Sequence, residues 1–155
     1  MMLERKSAGA VVFTEIDGER YYLLLLYGAG HWDLPKGGIE RGESELDTVR
    51  REVREETGIE DLVIIDGFRK VINYFYKSGS ALVRKTVVFY LAKTPQTEVR
   101  LSHEHNAYAW LKMEDAMVTL TYKTAKEVLF EANQFIFPLE RSGYYEGAPL
   151  RRTRV

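Results

Sequence analysis

The sequence predicts an α/β protein of the α+β type, in which helices pack against a β-sheet. Apolar, β-branched runs form two pairs of strand-like segments, and a short polar turn joins each pair. A helix with sorted charges lies between the two pairs, and helical periodicity returns near the carboxyl end. The chain has 155 residues, 45% hydrophobic and 29% charged, as expected of a globular domain with a real core. We therefore expect one domain over residues 1–155, with 138–155 as a basic tail.

Charge and composition limit the kinds of partner. The 22 Lys and Arg residues nearly balance the 23 Asp and Glu residues, so no global positive field favours nucleic acid, and any anion site must be local. The absence of cysteine excludes a disulfide framework and thiolate zinc sites. The opening MMLERKSAG lacks the apolar core of a signal peptide, and no apolar run is long enough to span a bilayer. A cytoplasmic protein without membrane contact is therefore expected.

The first strand pair and the loop after it come before the helix. Ala8–Thr14 and Arg20–Tyr27 flank a polar turn and predict a hairpin whose second strand is buried on both faces. The segment HWDLPKGG, His31–Gly38, follows. Pro35 disfavours a helix there, so Lys36 should lie in an extended or turn segment beside the helix. A lysine in that place is either a phosphate-neutralising point charge or a solvated loop residue.

The central helix is predicted over about Glu45–Thr57. Ser44 and Asp47 have the spacing of a capping box, and Gly58 suits the left-handed exit of a helix. The helical period of about 100° per residue puts three apolar side chains on one stripe: Leu46, Val49 and Val53. We expect that stripe to face the core.

The remaining helix surface separates its charges by sign. One arc carries Arg50, Arg51 and Arg54, and another carries Glu52, Glu55 and Glu56. Like charges at i,i+4, such as Glu52 and Glu56, repel each other by a few tenths of a kcal/mol. A hard divalent cation, Mg²⁺ above all, would offset that repulsion. The alternative is a surface helix with ion pairs from Asp47 to Arg51 and from Arg51 to Glu55.

Long strands are predicted after the helix. Leu62–Tyr76 and Leu82–Ala92 flank a polar turn, and both faces of the second strand are apolar. Among their aromatic residues, Phe75 and Phe89 are expected to pack in the core or at a sheet edge. Tyr74 would differ from them only if an aromatic ligand stacked on it.

The last third of the chain combines a short strand with helices. Leu101–Leu111 ends as a strand, and its His103 and His105 could share a metal, although no third zinc ligand lies nearby in the sequence. Helical patterns cover about Met113–Val118 and Thr121–Phe135. Turn-forming residues argue against a regular helix in the tail: Gly143, Gly147 and Pro149.

The stretch GGIERGESELDTVRREVREETGI, Gly37–Ile59, resembles the Nudix box, GX5EX7REUXEEXGU with U an aliphatic residue, and departs from it at no position. Membership of the Nudix hydrolases would imply an α/β/α sandwich around a mixed sheet. It would also imply Mg²⁺- or Mn²⁺-dependent cleavage of nucleoside diphosphates linked to another group. By the same resemblance Glu52, Glu55 and Glu56 would hold metal, Glu43 and Arg51 would brace the loop and helix, and Gly37 would serve backbone geometry.

Further segments narrow the resemblance. HWDLPKGG, KTVVFYLAK, LSHEHNAYAWL and the helix over Tyr122–Phe135 resemble the asymmetrical bis(5′-nucleosyl)-tetraphosphatases, the Ap4A hydrolases, over about Ser7–Phe137. That resemblance implies that Glu104 reaches the metal site and that Glu56 or Glu104 is the base. The substrate-binding residues it implies are His31, Lys36, Gly37, Tyr74, Lys85 and Tyr122. Many relatives have histidine where this chain has Gly38, which would make the loop less cationic.

The implied activity is metal-dependent hydrolysis of Ap4A to ATP and AMP, with Glu56, Glu104 and Arg51 as catalytic residues and a small-molecule substrate. A Nudix pyrophosphohydrolase of another substrate, such as an RNA 5′ end, ADP-ribose or a nucleoside triphosphate, shares the same box. A non-catalytic nucleotide sensor is a further alternative, but such modules typically lose box glutamates, and this chain keeps them all. Monomer and homodimer both stay open.

Overall fold

A computed structural model describes the backbone of residues 2–141 and 152–154 and the side chains of residues 2–137. Eight strands and three helices are assigned within them. They are β1 Met2–Ile16, β2 Glu19–Tyr27, β3 Trp32–Asp33, β4 Lys36–Gly38, α1 Glu45–Thr57, β5 Val63–Ser78, β6 Ala81–Lys93, β7 His105–Leu111, α2 Met113–Thr119, α3 Lys123–Arg141 and β8 Arg152–Arg154.

The strands form a mixed sheet in the order β3-β2-β1-β6-β5-β8, while β4 pairs with β1 and β7 pairs with β2. Both predicted hairpins are present, β1 with β2 and β5 with β6, and both are antiparallel. The pairing of β1 with β6 is parallel and runs from Met2 beside Leu82 to Phe13 beside Lys93. This long partner explains why β1 begins six residues before the predicted strand at Ala8, where the sequence itself has little strand character.

Helices cover both faces of the sheet, and each face has its own apolar core. As predicted, the apolar stripe of α1 faces the sheet, with Val49 and Val53 fully buried. The other core lies under α2 and α3 and includes Val128, Leu129 and Ala132. The middle of β2 is buried on both faces, as predicted, because helices lie on either side of it. The mixed sheet flanked by helices is therefore confirmed.

Two expectations about the periphery are wrong. Phe89 is buried, but Phe75 is 57% exposed, because the far end of the β5–β6 hairpin extends beyond the helix on that face. Helix α3 continues to Arg141 instead of ending near Phe135, and the buried Ile136 extends its apolar stripe. The helix therefore includes Pro138, inside the predicted tail. Of that tail, residues 142–151 lie outside the described chain, and Arg152–Arg154 pairs with Val63–Ile65 of β5.

Helix α1 begins and ends as predicted. The Ser44 hydroxyl accepts a hydrogen bond from the Asp47 amide at 3.0 Å, and the Asp47 carboxylate accepts one from the Ser44 amide at 3.0 Å. Gly58 ends the helix with φ of 76° and donates its amide hydrogen to the Arg54 carbonyl. These local bonds fix where the helix begins and ends, and so fix the positions of its charged side chains.

Glu45, in the first turn of α1, joins the helix to three strands. It accepts hydrogen bonds from Arg69 at 2.9 and 3.0 Å, from Lys6 at 2.8 Å and from Tyr90 at 2.5 Å. The Arg69 bonds, with those from Lys6 and Tyr90, lower the pKa of Glu45 from 4.5 to about 2. This ion network should hold α1 against the sheet.

Replacing Glu45 with glutamine is expected to lower the free energy of unfolding by about 1 to 2 kcal/mol at pH 7, a figure reduced for the exposure of its cationic partners. Because the folded pKa is depressed, the contribution of Glu45 is present above about pH 4.5 and lost as the pH falls towards 2. Urea unfolding at pH 7 and pH 2.5 measures both values. The exposed Glu60→Gln is the control, and an equal loss at both pH values would contradict the ion-pair explanation.

Among the residues that the structure describes, no helix has both the length and the apolar character needed to cross a membrane.

Candidate active site

Glu56, on the last turn of α1, is an acidic side chain in an unusual environment. It is 5% exposed, and its Oε1 atom is buried without a hydrogen-bond partner. Burial, with repulsion from Glu52 and Glu104, raises its pKa to about 9, and Lys36 acts in the opposite direction. A buried carboxyl group among like charges favours either a proton or a cation.

Arg51 lies among the glutamates, which corrects the prediction that it belongs to the positive arc of the helix. Its guanidinium contacts Glu43 at 2.6 and 3.0 Å, Glu52 at 3.1 Å and Glu55 at 3.0 Å, and it donates to the Gly38 carbonyl at 2.8 Å. The long side chain crosses from one arc to the other, which helical angles alone do not show. The predicted pair with Glu55 therefore forms, whereas Asp47 acts in the helix cap.

Gly37 lies directly against the Glu52 carboxylate. A Cβ atom added at Gly37 would overlap that carboxylate, so only glycine fits while Glu52 keeps this position. The family resemblance implied that Gly37 serves backbone geometry, whereas the structure shows a close contact with the Glu52 side chain. Strand β4, which contains Gly37, pairs with β1 in the centre of the sheet. The loop and the acidic face of α1 are thus held in contact.

Glu104 reaches the end of α1 through backbone hydrogen bonds of the segment before β7. The Arg100 amide donates to the Thr57 carbonyl at 2.8 Å, and the Ser102 amide donates to the Glu56 carbonyl at 3.3 Å. Glu104 itself is exposed, and its charge acts on both Glu52 and Glu56. The structure thus brings Glu104 to the acidic face of α1 across about 50 residues of sequence.

The two histidines beside Glu104 differ from each other. His103 is exposed, whereas His105 is 5% exposed and its Nδ1 lies 3.0 Å from the Ser102 hydroxyl. The His105 ring packs edge-on against Tyr27, with ring centroids 4.4 Å apart. His105 is therefore a packed residue next to the acidic cluster, which consists of Glu52, Glu55, Glu56 and Glu104.

The acidic cluster has the chemistry of a site for a hard divalent cation. Its donors are carboxylate oxygens, one of them the partnerless Oε1 of Glu56. Arg51 contacts Oε1 of Glu52 and of Glu55, which leaves the second oxygen of each for another ligand. Within the side chains that are described, no three acidic or imidazole groups already converge tightly enough to enclose an ion. The residues fit a cation that would draw these carboxylates closer together.

A cavity of about 500 Å³ opens on the α3 side of the sheet. It contains every predicted substrate-binding side chain: His31, Lys36, Tyr74, Lys85 and Tyr122. Gly37 is the neighbour of Lys36 and lies at the acidic face instead. The cavity also contains residues that sequence reasoning did not select: Asp33, Ile72, Tyr76, Phe89, Thr124 and Ala125.

Two lysines give the cavity its positive charge. Lys36 lies 3.4 Å from the Asp33 carboxylate and 5.3 Å from the centre of the Tyr27 ring. Lys85 is half-buried, and burial, followed by the charges of Lys36 and Arg5, lowers its pKa. Cations held close together in a partly buried cavity form a favourable site for a polyanion.

Tyr27 is a site residue that the sequence did not reveal. Its ring stacks on His31 with centroids 5.1 Å apart, and its hydroxyl donates to the Leu34 carbonyl at 3.2 Å. Burial, with the charges of Glu56 and Asp33, raises its pKa. Tyr27 therefore lies between the acidic cluster and the cavity. Its position at the end of an apolar strand predicted core packing. The one sequence signal for a place in the site is that Tyr27 comes immediately before Gly28, where the strand ends.

Gly38, at the end of the segment His31–Gly38, is the position where many relatives have histidine. A Cβ atom there would meet no heavy atom within 4 Å, so the position has room for a side chain. The absence of a side chain at Gly38 leaves the loop beside Lys36 more open.

The comparisons with known proteins agree with this geometry. A model of the NUDIX domain matches residues 3–132. A mouse protein named bis(5′-nucleosyl)-tetraphosphatase [asymmetrical] is 40% identical, over 84% of this chain and 95% of the mouse protein. The pig protein of the same name is 41% identical over the same shares.

Solved structures show the same fold. An Ap4A hydrolase of C. elegans in a binary complex superposes with a TM-score of 0.76 at 32% identity, over 86% of this chain and 98% of the other. An E. coli dihydroneopterin triphosphate pyrophosphohydrolase superposes with a TM-score of 0.68 at 20% identity, a likeness of fold alone. With its complete glutamate-rich helix, its fold and these relatives, the chain belongs to the Nudix family of hydrolases.

Proposed function

We propose that this hydrolase cleaves dinucleoside polyphosphates, converting Ap4A to ATP and AMP in the presence of Mg²⁺ or Mn²⁺. The observation that carries the proposal is the position of the acidic face of α1 beside a cavity with two lysines and three tyrosines. The lysines and the acidic metal site are suited to binding a polyphosphate, and the tyrosines are suited to stacking on an adenine ring. The names of the mouse, pig and C. elegans relatives support the same substrate.

Glu52, Glu55 and Glu56 would hold the metal, with Glu104 at its edge. The bound cation would neutralise phosphate charge and make water a stronger nucleophile. Arg51 acts on this site indirectly, because its contacts are to Glu52, Glu55 and the Gly38 carbonyl. We therefore assign Arg51 as a positioning residue, in place of the catalytic role first expected.

The chain's own residues bind the substrate and move the proton. Lys36, Lys85 and His31 would bind phosphate oxygens, and Tyr74 and Tyr122 would stack on one adenine. Water would attack one phosphorus in line with the leaving phosphate, and the carboxylate of Glu56 or Glu104 would accept its proton. Lys36 and Lys85 would stabilise the charge that develops on the phosphoryl oxygens.

Product analysis tests this proposal directly. The purified protein with Mg²⁺ is offered Ap4A, a triphosphorylated RNA oligomer and ADP-ribose in ¹⁸O-labelled water. ATP and AMP from Ap4A, at a kcat/KM well above the other two, is the expected result, and the label identifies the phosphorus that was attacked. Preference for RNA or ADP-ribose would replace the substrate while keeping the metal chemistry. No turnover of any of the three would lead first to a wider substrate screen, nucleoside triphosphates included, and only then favour a nucleotide sensor.

Tyr122→Ala is expected to raise KM for Ap4A about tenfold with little change in kcat, since stacking on a base is worth about 1 to 3 kcal/mol. Steady-state kinetics measure both constants. Phe130→Ala is the matched control, because Phe130 is on α3, which begins directly after Tyr122, is 49% exposed against 48% for Tyr122, and lies outside the cavity. An equal effect of both substitutions would show that Tyr122 acts through the helix and has no contact with the base.

A further inference from the structure

The cavity face of the sheet continues beyond the residues assigned above. Lys85 of β6 pairs with Arg5 of β1 on one side and with Tyr74 of β5 on the other. Side chains of directly paired residues project from the same face of a sheet. Arg5, Lys85 and Tyr74 therefore form a row across three strands, and the next row towards the hairpin end contains Tyr76.

Tyr76 extends the aromatic surface of the cavity outward. It lies two residues after Tyr74 on the same face, with ring centroids 6.4 Å apart and an angle of 37° between the rings. It lines the cavity and is 42% exposed, so much of its side chain is open to a ligand. An exposed tyrosine beside a second tyrosine offers a separate stacking surface for a planar ring.

Arg5, on the opposite side of β6 from Tyr76, extends the row of positive charge across the sheet. It is exposed, and its guanidinium donates to the Glu4 carbonyl at 3.4 Å. In the portion of the chain with described side chains, no carboxylate forms an ion pair with Arg5 or Lys85. The charge of Arg5 contributes to the lowered pKa of Lys85, which places the two cations close together. Lys36 and Arg5 both act on the charge of Lys85, so the three cations form a path that more than one phosphate can follow.

The second half of a dinucleoside substrate needs such a path. With one adenine on Tyr74 and Tyr122, the four phosphates pass the two lysines and end at a second nucleoside. We propose that Arg5 and Tyr76 form a second nucleotide subsite, in which Arg5 binds the distal phosphates and Tyr76 stacks on the distal base. This proposal rests on the proposed function and extends it to the part of the substrate that the other assigned residues do not contact.

Two substrates that differ by one nucleoside test the subsite. Adenosine 5′-tetraphosphate has the four phosphates of Ap4A and lacks the second adenosine. Tyr76→Ala is expected to raise KM for Ap4A about tenfold and to leave KM for adenosine 5′-tetraphosphate within about twofold. Arg5→Met is expected to raise KM for both substrates about threefold to tenfold, because both have the phosphates.

Controls come from the opposite face of the same hairpin. Phe75 is 57% exposed and adjacent to Tyr76, and Arg84 is exposed and adjacent to Lys85, but both project away from the cavity. Phe75→Ala and Arg84→Met should leave KM for both substrates unchanged.

Each remaining outcome separates the subsite from the proposed function. An equal rise in both KM values for Tyr76→Ala, or no rise at all, would overturn the second subsite while turnover of Ap4A by the unaltered protein continued. Failure of the unaltered protein to cleave Ap4A would instead overturn the proposed function on which the subsite rests.

Discussion

Replacing Glu56 with glutamine is expected to lower kcat for Ap4A by at least about 1000-fold. Glutamine has nearly the same shape, but it cannot accept a proton and is a weaker ligand for a hard cation. Glu56 contributes the one buried carboxylate oxygen of the acidic cluster that has no hydrogen-bond partner. Steady-state kinetics with saturating Mg²⁺ measure the loss, and full turnover by the variant would remove Glu56 from the mechanism.

Thermal unfolding provides the control for a damaged fold. Because the folded pKa of Glu56 is about 9 against 4.5 for a free side chain, its ionisation opposes folding. The contribution of Glu56 to the stability of the unaltered protein without divalent metal is full below about pH 4.5 and declines as the pH rises towards 9. The Tm of Glu56→Gln should therefore exceed that of the unaltered protein at pH 8 and equal it near pH 4. A lower Tm at pH 8 would attribute lost turnover to misfolding.

Arg51→Lys is expected to lower kcat about 100-fold, although it keeps the positive charge. A lysine cannot reproduce the fork through which Arg51 contacts Glu43, Glu52 and Glu55 together. The side chain of Arg51 is 14% exposed, so the lost contacts should also lower the free energy of unfolding by about 2 to 3 kcal/mol. Kinetics at 25 °C and urea unfolding measure the two effects.

Arg54→Lys is the matched control for Arg51. Arg54 is three residues later on the same helix, is exposed, and belongs to the arc that faces away from the glutamates. Its substitution should change neither kcat nor stability appreciably. Equal effects at the two positions would mean that any arginine on α1 matters, and would contradict a specific positioning role for Arg51.

Helix α1 and its surroundings were predictable because short-range features determine them. The capping box of Ser44 and Asp47, the exit at Gly58 and the apolar stripe each depend on residues less than one helix length apart. The acidic face could be read in the same way, since it follows from the helical period. Only the orientation of Arg51 was missed, because a long side chain can cross the helix surface.

The residues that escaped prediction depend on partners far away in the sequence. Tyr27 is a site residue because Glu56 and His105 lie beside it, and Tyr76 is one because β5 pairs with β6. In the sequence both are ordinary strand aromatics. Phe75 shows the reverse, since nothing local reveals that the hairpin extends past its covering helix.

The parallel pairing of β1 with β6 has a consequence for how the protein folds. Each paired residue of β1 meets one 80 positions later, as Met2 meets Leu82, and a parallel pair cannot form through a tight turn. Such long loops must close before their contacts are gained, which slows the folding of small domains to milliseconds or longer. Arg5 and Lys85 meet only through this pairing. During synthesis, Arg5 and Lys85 can therefore come together only after most of the chain has left the ribosome.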